Sequence, residues 1–141
     1  MSNWLDLVVE SAIDPERPIC DPHHHLWDHP QNRYLLTELL EDTQSGHNVV
    51  KTVFVECSSM YRKEGPDELK PLGETEFVNG FAAMSASGQY GEELACNGIV
   101  SFADLTLGKK VGFVLDEHQR LSDRFRGVRH AAGWDPSDEV R

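Results

Sequence analysis

No stretch of this chain approaches the roughly 18 consecutive apolar residues that would span a bilayer. Basic residues are scarce: 13 Lys and Arg against 24 Asp and Glu give a formal net charge of −11. That balance disfavours nucleic-acid backbones and anionic membrane surfaces, which both require a basic patch. An anionic substrate would need a local cluster of arginines to offset the overall field. The first basic residue is Arg17, so the N-terminus lacks the positive flank of a secretory signal and reads as cytoplasmic. Cysteine is also sparse. Cys20, Cys57 and Cys96 are odd in number, widely spaced and without a C-x-x-C pair, which predicts three buried small hydrophobes in a reducing compartment. Fixed-length repeats, low-complexity tracts and linkers are missing as well. With 141 residues, 39% of them hydrophobic and 26% charged, the chain reads as one soluble unit with a real core.

Against these absences stands Ile19-Cys20-Asp21-Pro22-His23-His24-His25-Leu26-Trp27-Asp28. Three histidines flanked by Pro22 and Leu26-Trp27 do not resemble a tag. If the run is a strand, its two-residue period places His23 and His25 on one face, about 6.6 to 6.8 Å apart along the backbone, and turns His24 the other way. Two imidazoles so placed can converge on one metal ion, although zinc takes three or four ligands.

The rest of the chain alternates. Tyr34–Asp42 carries helical spacing, Val49–Cys57 is a β-branched run apolar on both parities, and a Pro- and Gly-containing loop, Ser58–Gly73, leads to a helix from Glu74-Thr75 to Ser87-Gly88. Leu94–Ala103 reads as a strand in which Gly98 marks a close backbone approach. A helix from about Leu107 to Ser122 follows, capped by Asp104 or Thr106, with His118 packed on its apolar stripe. Phe125–His130 closes the series as a strand before Trp134-Asp135-Pro136-Ser137-Asp138 breaks the pattern. Such alternation predicts an α/β fold with a parallel sheet built from right-handed crossovers.

In parallel α/β folds functional groups gather at the carboxyl ends of strands. The polar residues fall there: His23 and His25, then Glu56, then Asp104, then Arg129 with His130. Asp104 is read as a helix cap, Arg126 and Arg129 as lying on opposite faces by parity, and His29 and His47 as solvent-facing. Tyr61 is within possible reach of a substrate from its loop.

Four motifs taken together, Asp21–Asp28, Val53-Phe54-Val55-Glu56, Gly98-Ile99-Val100 with Ala103-Asp104-Leu105, and Phe125-Arg126-Gly127-Val128-Arg129-His130, resemble the amidohydrolase-2 (amidohydrolase-related) family of TIM-barrel metal-dependent hydrolases. The likeness runs from about Ile19 to Asp135. It implies the N-terminal half of a (β/α)8 barrel, four parallel strands with intervening helices, residues 1–141 forming one partial domain. It also implies that His23 and His25 are metal ligands of one divalent ion, most often zinc, and that Arg129 and His130 face a small-molecule substrate. His130 would then hydrogen-bond a carbonyl oxygen or leaving group, as the catalytic candidate. Glu56 is the further substrate-binding candidate, because strand-end carboxylates of barrels are often functional; capping a helix or pairing with a lysine is the plainer role.

The family includes lactonases acting on sugar acids or dicarboxylates and also decarboxylases, so lactone, ester or amide hydrolysis is the first expectation and decarboxylation the second. A complete barrel takes about 250 residues, and the resembled family draws a further histidine and an aspartate from later strands. The expectation is therefore a fragment, inactive by itself, whose partner is the missing C-terminal half. A non-catalytic half-barrel that pairs with its own copy is the third possibility.

Overall fold

The four strands read from the sequence form near their expected positions, β4 and β5 as the apolar runs among them. The computed structural model describes residues 10–133, 135–137 and 139; Trp134 and Asp138, read above as part of the terminating segment, lie outside the described residues. Strand β1 is Pro18–His24, followed by a short hairpin of β2 (Trp27–His29) and β3 (Asn32–Tyr34). Helix α1 (Leu36–Thr43), β4 (Asn48–Val55), α2 (Leu72–Ala86), β5 (Leu94–Phe102), α3 (Val111–Leu121) and β6 (Phe125–Arg129) complete the order. The four long strands make one parallel sheet in the order β1-β4-β5-β6. Strands adjacent along the fold are adjacent in the sheet, and its order never reverses.

That order, with right-handed crossovers, sends every helix to the same face. Phe54 and Ile99, both fully buried, meet Leu36 and Leu39 of α1 and Val78 and Ala82 of α2 in one cluster. Further along the same face Ser101 reaches Thr75 of α2. The other face carries no helix layer among the described residues. Val53, Val100 and Phe102 there are half-buried, and Val50 and Lys51 are exposed. The expectation that Val49–Cys57 is buried on both faces is corrected accordingly. Cys20 is likewise exposed rather than buried, because it sits on this uncovered face of edge strand β1; Cys57 is half-buried and Cys96 buried.

Two further differences have local causes. The sequence of the first expected helix begins with Tyr34, but Tyr34 pairs with Trp27 across the hairpin and α1 starts at Leu36. The expected helix from Leu107 is broken at Gly108, whose φ of 58° kinks the 3-10 segment Leu105–Lys110 that precedes α3. Asp104 caps that turn, accepting the Thr106 N–H at 2.9 Å. No helix among the described residues is long and apolar enough to cross a membrane.

His118 is fully buried, as expected of a packed histidine. Its Nε2–H donates to the Phe102 carbonyl at 3.1 Å, so Nδ1 accepts from the Thr75 hydroxyl at 2.9 Å, and the ring stacks on Phe125. Burial holds its pKa below the usual 6.5. A histidine whose folded pKa is lowered stabilises the fold fully above 6.5 and loses that contribution as pH falls from 6.5 toward the folded value. We therefore expect the stability advantage of the wild type over His118→Gln to shrink below pH 6.5 in urea titrations. Comparing the pair cancels the opposite trend from Glu74 and Glu93, whose carboxyls burial pushes up from 4.5.

Candidate functional site at the strand ends

The site begins with an irregularity in β1. Asp21 pairs with Thr52 and His24 with Phe54, so three steps on β1 match two on β4. Pro22 has no N–H to give to a ladder, and the Asp21 carboxylate instead accepts the His23 N–H at 3.1 Å. Beyond this bulge His24 turns into the core with Phe54, while the rings of His23 and His25 come together edge to face with centroids 5.0 Å apart. His25 donates Nδ1–H to the Val55 carbonyl at 2.7 Å, which leaves its Nε2 lone pair free. A histidine oriented through one nitrogen and open at the other is the usual form of a metal ligand. Trp27 of the hairpin stacks on His25 at 5.9 Å.

His24 does different work. Thr52 Oγ1 accepts the Cys96 N–H at 2.9 Å and donates to His24 Nε2 at 2.9 Å. Burial lowers the pKa of this ring, so it is a neutral part of the polar core.

Arg129 crosses the end of β5 to reach β4. Its Nε donates to Glu56 Oε1 and its Nη2 to the Glu56 backbone carbonyl, both at 2.7 Å. Glu56 is nearly buried and Arg129 half-exposed. By strand parity Arg126 and Arg129 are expected on opposite faces; the structure corrects this. Ile99 pairs with Phe125 but Val100 with Gly127, so Arg126 is an extra residue that resets the alternation. Arg129 pairs with Phe102 on the open face, and Arg126 Cγ lies 3.5 Å from where a Cβ on Gly98 would stand on that same face.

His130 follows directly. Its Nδ1 accepts the Leu105 N–H at 2.9 Å, and Asp104 Oδ1 lies 3.7 Å from the same nitrogen. In the neutral ring the proton therefore sits on Nε2, a hydrogen-bond donor. His130, Phe102, Asp104 and Thr106 line a groove of about 520 Å³ with Asp67, Glu68 and Pro71 from the loop after β4. His29 and His47 are exposed, as expected.

The last residue of β4 and the one after it thus hold both halves of the site: the Val55 carbonyl takes His25, and Glu56 takes Arg129. Among the described residues no group of three or more His, Cys, Asp or Glu converges as a metal site. His23 and His25 bring two imidazoles together at this end of the sheet.

In the sequence Glu74 is legible only as a helix start. It is fully buried, and its Oε1 accepts the N–H groups of Cys57 at 3.1 Å and Ser59 at 2.7 Å, fixing the loop behind Glu56. In the same loop Tyr61 is half-buried, its phenol pushed up to about 12 chiefly by burial, and the Cys57 thiol is pushed up to about 11 for the same reason. Both stay protonated at neutral pH.

No family model matches the chain, and no solved structure matches it. Over 138 aligned residues, covering 82% of the chain, it is 30% identical to an uncharacterized protein, y4mH, of Sinorhizobium fredii. The chain spans 40% of that relative's length.

Proposed function

We propose that the chain supplies four strands of a metal-dependent hydrolase of the amidohydrolase-related type, acting on a lactone or related ester or amide of a small carboxylated substrate. The observation that carries this reading is the orientation of His25, with Nδ1 bound to Val55 O and Nε2 left open beside the His23 ring. A parallel sheet that never reverses, with its helices on one face and its polar groups at the strand ends, is the arrangement from which a (β/α)8 wall is built.

When bound, a divalent ion such as zinc supplies Lewis-acid polarisation of a carbonyl and acidification of water. His23 and His25 would hold it, with further ligands coming from a second half of the barrel. The guanidinium edge of Arg129 not used by Glu56 would bind a substrate carboxylate in a fork. His130, with its proton on Nε2, would donate to the carbonyl oxygen or leaving group. The three free cysteines suit a reducing, cytoplasmic location.

The test is zinc titration of the 141-residue chain against a chromophoric chelator, with light scattering for oligomeric state and assays for lactone opening and carbon dioxide release. Reversible zinc uptake without turnover is expected. Tight stoichiometric zinc in a stable, active monomer would overturn the shared site, and carbon dioxide release from an aromatic acid would replace hydrolase with decarboxylase. The uncovered face bearing Val53, Val100 and Phe102 supports a second reading, a self-associating module. A dimer that takes up no zinc would favour it.

A further inference from the structure

We propose that Glu56 is a positioning residue: it holds the side-on edge of the Arg129 guanidinium so that the end-on edge opens to a carboxylate at the strand ends. The hydrolase reading is needed here only to say that this carboxylate belongs to a substrate.

Both bonds of the pair fall on one edge. Nε goes to Glu56 Oε1 and Nη2 to the Glu56 carbonyl, each at 2.7 Å, so a side chain and its own backbone grip the arginine together. The Nη1 and remaining Nη2 hydrogens form the other edge, which Glu56 does not use, on a side chain that is 41% exposed against 10% for Glu56. Direct binding of an anion by Glu56 would set two negative groups together in a chain already at −11. An arginine free to sample its rotamers would lose entropy on taking a ligand; the grip of Glu56 removes that loss beforehand. The same strand end fixes His25 through Val55, the residue before Glu56.

Charge and geometry predict opposite results, which makes the proposal testable with succinate as the probe carboxylate. NMR of the 15N-labelled chain follows the Arg129 Nε–H signal and the succinate affinity in wild type, Glu56→Ala, Glu56→Asp and Glu56→Gln. Glu56→Ala is expected to lose the protected Nε–H signal and to bind succinate about tenfold more weakly, although it removes a negative charge. Glu56→Asp keeps the charge but falls a methylene short and is expected to behave like Glu56→Ala. Glu56→Gln keeps an acceptor at the same reach and is expected to restore both readouts.

Equal or tighter succinate binding by Glu56→Ala, failure of Glu56→Gln to rescue, or a wild type that takes up no succinate would overturn the proposal. Should Glu56→Ala not fold, the contrast between Glu56→Asp and Glu56→Gln decides alone. Zinc uptake measured in the same samples separates the two readings. The expected arginine pattern without zinc binding sinks the hydrolase and leaves Glu56 in place; zinc binding with an unchanged arginine signal does the reverse.

Discussion

His25→Ala is expected to lower zinc affinity by at least about 100-fold, since loss of an outer hydrogen-bond partner alone costs 10- to 100-fold and here a ligand itself is removed. His23→Ala should act in the same direction, because its ring lies 5.0 Å from that of His25 and is the other imidazole on that face. The informative control is the histidine between them. His24 is buried, hydrogen-bonded to Thr52 and turned toward Phe54. His24→Asn should therefore leave zinc affinity unchanged while lowering stability by about 1 to 3 kcal/mol, the cost of leaving a buried polar group short of its partner. Chelator competition measures the first effect and urea unfolding the second. Equal loss of zinc in all three variants would mean that the run binds as a surface cluster, and the strand-end site would fall.

The placement of these three histidines, His24 turned to the core and the rings of His23 and His25 together away from it, was legible from strand parity, and the reason is that one face of β1 is covered. Phe54 and the helices give His24 a buried side, so alternation has physical consequences there. Parity failed at Arg126 and Arg129 because the register shift opposite Ile99 and Val100 inserts one residue, and a bulge leaves no trace in hydrophobic periodicity. The same limit hid the hairpin, whose strands are three residues each and too short to show a period. Cys20 misled for another reason. Apolar neighbours predict burial only where a second layer exists, and none covers that face among the described residues.

The kink at Gly108 was readable in principle, since glycine is the residue that accepts a φ of 58°. Glu74 was not, because nothing in a linear sequence says that a helix-start carboxylate will be fully buried and take two loop N–H groups.

On helix α2 two glycine-to-alanine changes are expected to have opposite signs. At exposed Gly80 an added Cβ meets nothing within 4 Å, so Gly80→Ala should gain about 0.5 to 1 kcal/mol from the smaller backbone entropy loss. At Gly73 the same atom would stand 2.4 Å from the Met60 carbonyl oxygen and 2.7 Å from the Arg62 nitrogen. Both are backbone atoms, so no rotamer change relieves the overlap. The loop cannot yield freely either: Arg62 N–H is bonded to the Lys70 carbonyl at 2.9 Å, and Ser58 and Met60 already sit at φ of 61° and 54°. Displacing it pulls the Cys57 and Ser59 N–H groups from Glu74, leaving buried donors and a buried carboxylate unpaired. The sum of overpacking and lost hydrogen bonds is about 3 kcal/mol or more, a fall in Tm on the order of 10 °C for a chain of this length. Because Cys57 adjoins Glu56, Gly73→Ala should also weaken the protected Arg129 Nε–H signal without touching Arg129 or its partner. Calorimetry on the two variants checks the signs. A Gly73→Ala chain as stable as the wild type would show that the loop after β4 is not held as described, and with it would go the argument that this loop keeps Glu56 in place.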